Sequence, residues 1–147
     1  MSMKIIEDKA VKKVFEVYPA RAVTKTLALR RLVIETSRKI KGIELLEESL
    51  KWGEPSYRSS AGSPLRIAWK VKSPDQYALY VSCSTNLIAT FRYLYDDVFQ
   101  FEGKRGVIFQ NSEKVASKEL KHCIALALTY HKKKQYPEIW QNLESIV

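Results

Sequence analysis

The stretch Leu50–Tyr57, LKWGEPSY, decides how this chain divides. Upstream of it apolar residues recur every three to four positions; downstream they alternate in short runs rich in β-branched and aromatic side chains. Trp52 carries one of the largest apolar surfaces of any side chain, and Gly53 accepts a positive φ. Pro55 excludes helix at Glu54 and fixes the exit direction. The chain is therefore expected to turn here from a helical layer into a sheet, with Trp52 and Tyr57 as core anchors that pin one to the other.

Outward toward the N-terminus, Asp8 is expected to cap a helix running to about Tyr18, with Val11, Val14, Phe15 and Tyr18 as its apolar stripe. From Ala20 to about Lys41, Leu29, Leu32, Val33, Thr36 and Ile40 keep a helical period, while Lys25, Arg31, Glu35 and Arg38 gather on another side. Gly42 closes that helix, and Ile43–Lys51 reads as a short third helix with Leu45, Leu46 and Leu50 inward.

Outward toward the C-terminus, five strands are expected: Ser56–Ser60, Leu65–Val71, Gln76–Cys83, Val98–Glu102 and Val107–Asn111. In Leu65–Val71 the residues Leu65, Ile67, Trp69 and Val71 alternate with Arg66, Ala68 and Lys70, so one face is buried and one is basic. Tyr80 then faces either a ligand or a helix. Ser84 or Thr85 starts a helix to about Tyr95, and a last helix runs from about Val115 to Gln135, its Lys132–Lys134 run suiting the negative end of the helix dipole. The fold class expected is α+β, two layers, with an antiparallel sheet of about five strands packed against helices in a single domain over residues 1–147.

The chain has 147 residues, 46% of them apolar, with 25 Lys and Arg against 16 Asp and Glu, a net charge of +9. Of these, 12 basic and 7 acidic residues precede Glu54, so the excess lies mainly on the N-terminal helices. Such a field attracts phosphate-bearing partners or an acidic protein surface, or serves only as a solvated face that keeps the chain soluble. The 2 cysteines, Cys83 and Cys123, form no CxxC pair, and a chain of this length needs neither disulfide nor structural metal to hold a core. Together with the lack of a signal-like apolar run, this gives a cytoplasmic expectation. No segment approaches the ~20 uninterrupted apolar residues of a membrane span, so no membrane partner is expected.

Few residues suit catalysis, and no catalytic residue, metal ligand set or cofactor is assigned. The 2 histidines, His122 and His131, are nine positions apart on one expected helix and so point to opposite sides. Walker, GxGxxG, HExxH and zinc-ligand spacings are missing. Cys83 precedes an expected helix start, where the dipole would lower its thiol pKa; burial at a strand end is the structural alternative.

The words LALRRLVIE, LKWGEPSY and CSTNLIATFRYLYDDVFQFEGKRGVIF resemble the YdhG-like family of unknown function. The family's WG-x-P-x-Y element is carried by Trp52, Gly53, Pro55 and Tyr57, and its second element by Phe101, Glu102, Gly103, Val107, Ile108 and Phe109. The likeness covers about residues 10–131. It implies a compact α+β fold and no statable enzymatic activity. Some relatives are described as frataxin-like iron chaperones, which makes iron delivery a candidate; the small acidic groups here are Glu44, Glu47 and Glu48, and Asp96, Asp97 and Glu102.

Two readings of the junction stand together. In the structural one Trp52 and Tyr57 are only anchors. In the functional one Trp52, Glu54, Tyr57, Arg58, Trp69 and Tyr80 line a cleft at the helix–sheet boundary, with aromatic walls and charged anchors that suit a small anionic or planar ligand or a peptide. The resulting expectation is a non-catalytic binding or adaptor domain. Its rival is a nucleic-acid-binding protein using Lys25, Arg31, Arg38 and the Lys104–Arg105 turn, although neither a helix-turn-helix nor an RNP signature is present.

Overall fold

The structure, a computed structural model, describes residues 3–141 and 143. The remaining residues of the expected 1–147 domain lie outside the described ones. The chain is α+β. Strands β1 (Lys4–Ile6), β2 (Leu45–Lys51), β3 (Glu54–Arg58), β4 (Leu65–Ala68), β5 (Gln76–Val81), β6 (Gln100–Glu102) and β7 (Gly106–Gln110) form one sheet in the order β1-β2-β3-β4-β5-β7-β6. All neighbours are antiparallel except β1 and β2. The expected antiparallel sheet of about five strands is thus corrected to a mixed sheet of seven. The five expected strands are present as β3 to β7, with β4, β5 and β6 shorter than expected and β3 and β7 shifted by one or two residues, and β1 and β2 are added at one edge.

Both additions have a physical reason. Parallel neighbours need a long crossover, and here helices α1 (Lys9–Glu16) and α2 (Ala20–Lys39) supply it between β1 and β2. The segment expected to be a third helix, Ile43–Lys51, becomes β2 because it pairs on both sides, Leu46 with Ile5 and Glu48 with Tyr57. Leu46 and Glu48 are buried on the helix-covered side while Glu47 and Ser49 are only half-buried, the alternation of a strand, and Leu50 and Lys51 at the hairpin end are exposed. Tertiary pairing overrides the local preference of Leu and Glu for helix.

The elbow itself is corrected most sharply. Trp52 and Gly53 are the two loop residues of a β2–β3 hairpin, with Lys51 and Glu54 paired across it. Both have positive φ, 56° and 76°, as a primed turn requires. Trp52 is 85% exposed and anchors nothing in the core, whereas Tyr57 is fully buried. No helix meets the sheet at this point; the helix-to-strand change lies earlier, where α2 ends and Gly42 adopts φ 96°.

The helices cover one face of the sheet. Asp8 accepts a hydrogen bond from the Ala10 amide at 2.9 Å and so caps α1, as expected, and Val11 and Phe15 go inward. In α2 the inward set is Leu29, Val33 and Ile34, with buried Thr26 and Ser37 donating back to the carbonyls of Ala22 and Val33. Helix α3 (Leu87–Tyr95) packs Leu87, Ile88 and Phe91. Helix α4 (Ser117–Leu128) buries Leu120, Cys123, Ile124 and Ala125–Leu128. It is followed by a 3₁₀ stretch, Tyr130–Gln135, and a short α5 (Pro137–Trp140), where the Trp140 indole donates to the Thr129 hydroxyl at 2.9 Å. One apolar cluster runs from Met3 to Leu143 between the helices and the sheet. Among the described residues no helix is long and apolar enough to cross a membrane.

Candidate functional site

Among the described residues no helix covers the opposite face of the sheet. Cross-strand pairing sets Ser49, Ser56, Arg66, Tyr80, Gly106 and Glu102 in one row across it. Small Ala68 and Ala78, with Ile108, form an apolar floor beside Tyr80. A cleft of about 240 Å³ opens on this face, lined by Trp52, Glu54, Arg66, Lys70, Tyr80 and Arg105.

Tyr80 organises the cleft. Its ring edge lies against Gly106, where an added Cβ would come within 3.0 Å of Cε1, so glycine leaves the room the ring occupies. The hydroxyl donates to Glu102 Oε2 at 3.3 Å. Three cations surround the ring: Lys70 Nζ at 4.7 Å from its centre, the Arg66 guanidinium at 5.4 Å and that of Arg105 at 5.6 Å. Arg66 is paired to Glu54 at 2.6 Å. Among the described residues Lys70 and Arg105 have no carboxylate within ion-pair distance. The aromatic face offsets some of the repulsion between these cations, by about 0.5–1 kcal/mol per exposed contact. The cluster still carries a positive excess that an anion would neutralise.

Trp52 stands at the lip. A non-glycine residue in the left-handed region costs on the order of 1–3 kcal/mol, and such strain concentrates at ligand clamps. Here it presents an indole to solvent rather than to a core.

The six residues expected to share a cleft are divided. Trp52, Glu54 and Tyr80 come together. Tyr57 lies on the helix-covered face, where its hydroxyl donates to Glu48 Oε2 at 2.7 Å. Burial, and then the hydrogen bond and charge of Glu48, push that phenol far above its usual range. Trp69 is half-buried at the end of β4, its indole donating to the Pro74 carbonyl and its ring packed against Tyr18 at 5.6 Å. Arg58 pairs with Glu47 at 3.3 Å and lines a neighbouring groove with Leu45 and Ser59. Arg66, Lys70 and Arg105 complete the cleft, the first two legible only as the basic side of an alternating strand.

The residues expected to touch nucleic acid also separate. Arg105 is in the cleft and Lys104 is exposed beside it in the β6–β7 turn. Arg31 and Arg38, seven positions apart on α2, share one exposed side with Glu35 between them, and Lys25 lies about 120° away. The acidic groups do not converge: Glu47 and Glu48 point to opposite faces of β2, each held by an arginine. Among the described residues no group of three or more His, Cys, Asp and Glu could hold a metal ion. His122 is held between the Tyr95 hydroxyl at 2.7 Å and the Ile139 carbonyl at 3.0 Å. Cys123 is buried, which pushes its thiol far up, and Cys83 is exposed rather than buried at a strand end.

Compared with protein-family models, curated proteins and solved structures, the chain matches none of them.

Proposed function

We propose that this chain is a non-catalytic binding domain whose open sheet face captures a small ligand by an anionic head, with a planar part lying on Trp52. The observation that carries this reading is Trp52 itself, strained and 85% exposed at the lip of a cleft that gathers Arg66, Lys70 and Arg105 on one tyrosine ring. A volume of about 240 Å³ is below the ~300–1,000 Å³ that encloses a drug-sized molecule, so the head group alone is seated and the rest lies along the surface. The resemblance to the YdhG-like family belongs to this reading and brings no reaction with it.

Nucleic-acid binding through the helical face draws less support, because Glu35 divides Arg31 from Arg38 and Lys25 is turned aside. An iron-delivery role draws little support from carboxylates that diverge or are already paired. Calorimetric titration with phenyl phosphate tests the proposal. Saturable heat that weakens with added salt, and is lost in the double variant Lys70→Glu with Arg105→Glu, is the expected result; no heat at low salt, or equal heat in the double variant, overturns it.

A further inference from the structure

A second cleft, of about 440 Å³, lies on the other side of the sheet between α1, α2 and β2. Its walls are Val11, Phe15, Val23 and Leu27; Leu27 is 38% exposed although it is aliphatic. Its polar end is the Glu48 carboxylate, on a residue only 5% exposed. The two oxygens of Glu48 are used unequally. Oε2 accepts from Arg30 Nε at 2.8 Å and from the Tyr57 hydroxyl at 2.7 Å, whereas Oε1 has a single long bond, from the Asp8 amide at 3.3 Å. A carboxylate offers about four lone-pair sites, so a buried one with a nearly idle oxygen at a cleft is poised for another donor. The charges agree: Glu7, Asp8, Glu16 and Glu48 line the cleft against Lys9, Lys12 and Arg30, a balance of one negative charge.

We propose that this cleft is a separate binding site for a small primary ammonium compound with an apolar body, whose N–H donates to Glu48 Oε1 while the body lies between Phe15, Val23 and Leu27. Arg30 acts as a positioning residue, because its Nε bond holds Oε2 and leaves Oε1 for the ligand. The cleft is large enough to take most of a ligand of six to ten heavy atoms within its volume.

Titration of the full chain with phenethylammonium and hexylammonium, followed by two-dimensional NMR, tests this, with phenylpropionate and hexanoate as anionic counterparts. Saturable shifts at Val11, Phe15, Val23 and Leu27 are expected from the amines and not from the carboxylates, with signals of Trp52 unmoved. Glu48→Gln should weaken amine binding at least about tenfold, the loss of one charged hydrogen bond. Because that change touches the Arg30 and Tyr57 contacts and could unfold the chain, Val23→Phe, which fills the cleft from a half-buried position, should abolish binding while Glu48 is kept. Absence of shifts at tens of millimolar amine, equal binding of the carboxylates, or unchanged binding in Val23→Phe overturns the proposal.

Discussion

Glu48 and Tyr57 face each other directly across the β2–β3 hairpin, and the tyrosine hydroxyl donates to the carboxylate at 2.7 Å on the helix-covered side of the sheet. Arg30 reaches the same oxygen from α2 at 2.8 Å, so one buried carboxylate ties the hairpin to the crossover helices. Burial pulls the Arg30 guanidinium down, and the Glu48 hydrogen bond and the nearby charges more than offset it. Removing one partner from such a group leaves it under-bonded, at about 1–3 kcal/mol. Tyr57→Phe is therefore expected to lower stability by about that amount with no change of fold, measured as a shift of the urea midpoint at constant slope. An unchanged midpoint would contradict the tie.

Trp52→Asn should act in the opposite sense. Asparagine tolerates the left-handed conformation and completes the Asn-Gly turn that two-residue hairpins favour. Relief of the strain at φ 56° is expected to leave thermal stability unchanged or to raise it by about 1 kcal/mol. Affinity for phenyl phosphate should fall. A lower melting temperature would mean that Trp52 supports the fold.

Gly106→Ala places a methyl within 3.0 Å of the Tyr80 ring edge and 3.1 Å of Glu102 Cβ. The ring must lift, and the cations around it must move with it. The chain is expected to stay folded, by circular dichroism, while anion affinity drops severalfold.

Alkaline pH should destabilise the chain through its buried phenols. Burial pushes Tyr77 up to about 12 from an ordinary 10.0, and Tyr18, Tyr57 and Tyr95 are raised as well. Between pH 10 and 12 the unfolded chain has lost the Tyr77 proton while the folded chain still holds it. The unfolded state then binds fewer protons, so stability falls as pH rises, by up to about 1.4 kcal/mol per pH unit for each such group. The contribution is fully present below pH 10 and is lost through the folded value of about 12. Tyr77→Phe removes one phenol and should flatten the fall, seen as melting temperatures of the two proteins converging or crossing between pH 9 and pH 11.5.

The sequence made the helix from Ala20, the Asp8 cap and the alternation of Leu65–Ala68 legible because each rests on a local period or a local hydrogen bond, whereas the run expected to continue to Val71 stops at Ala68 and leaves Val71 exposed. It misled at Ile43–Lys51, where Leu46 and Leu50 at a four-residue spacing imitate a helix face and the inward Glu48 hides the alternation of a strand. Only long-range pairing with β1 and β3 decides that segment. Lys4–Ile6 is too short to register as a strand without its partner. Trp52 misleads for the opposite reason: bulk and apolarity suggest burial, and the turn geometry that exposes it follows only once β2 is a strand. Half of the expected cleft was recoverable, since Trp52, Glu54 and Tyr80 do meet, while Tyr57 lies in the core and Trp69 packs on Tyr18.

Indole N–H signals of the chain's 3 tryptophans, followed by NMR during addition of phenyl phosphate at low salt, report on the cleft most directly. A saturable shift of Trp52 alone is expected, with Trp69 and Trp140 still, accompanied by shifts at Arg66, Lys70 and Arg105 and lost on Lys70→Glu with Arg105→Glu. An unmoved Trp52 at millimolar ligand, or a shift that survives both charge reversals, would contradict the assignment of the open sheet face as the binding site.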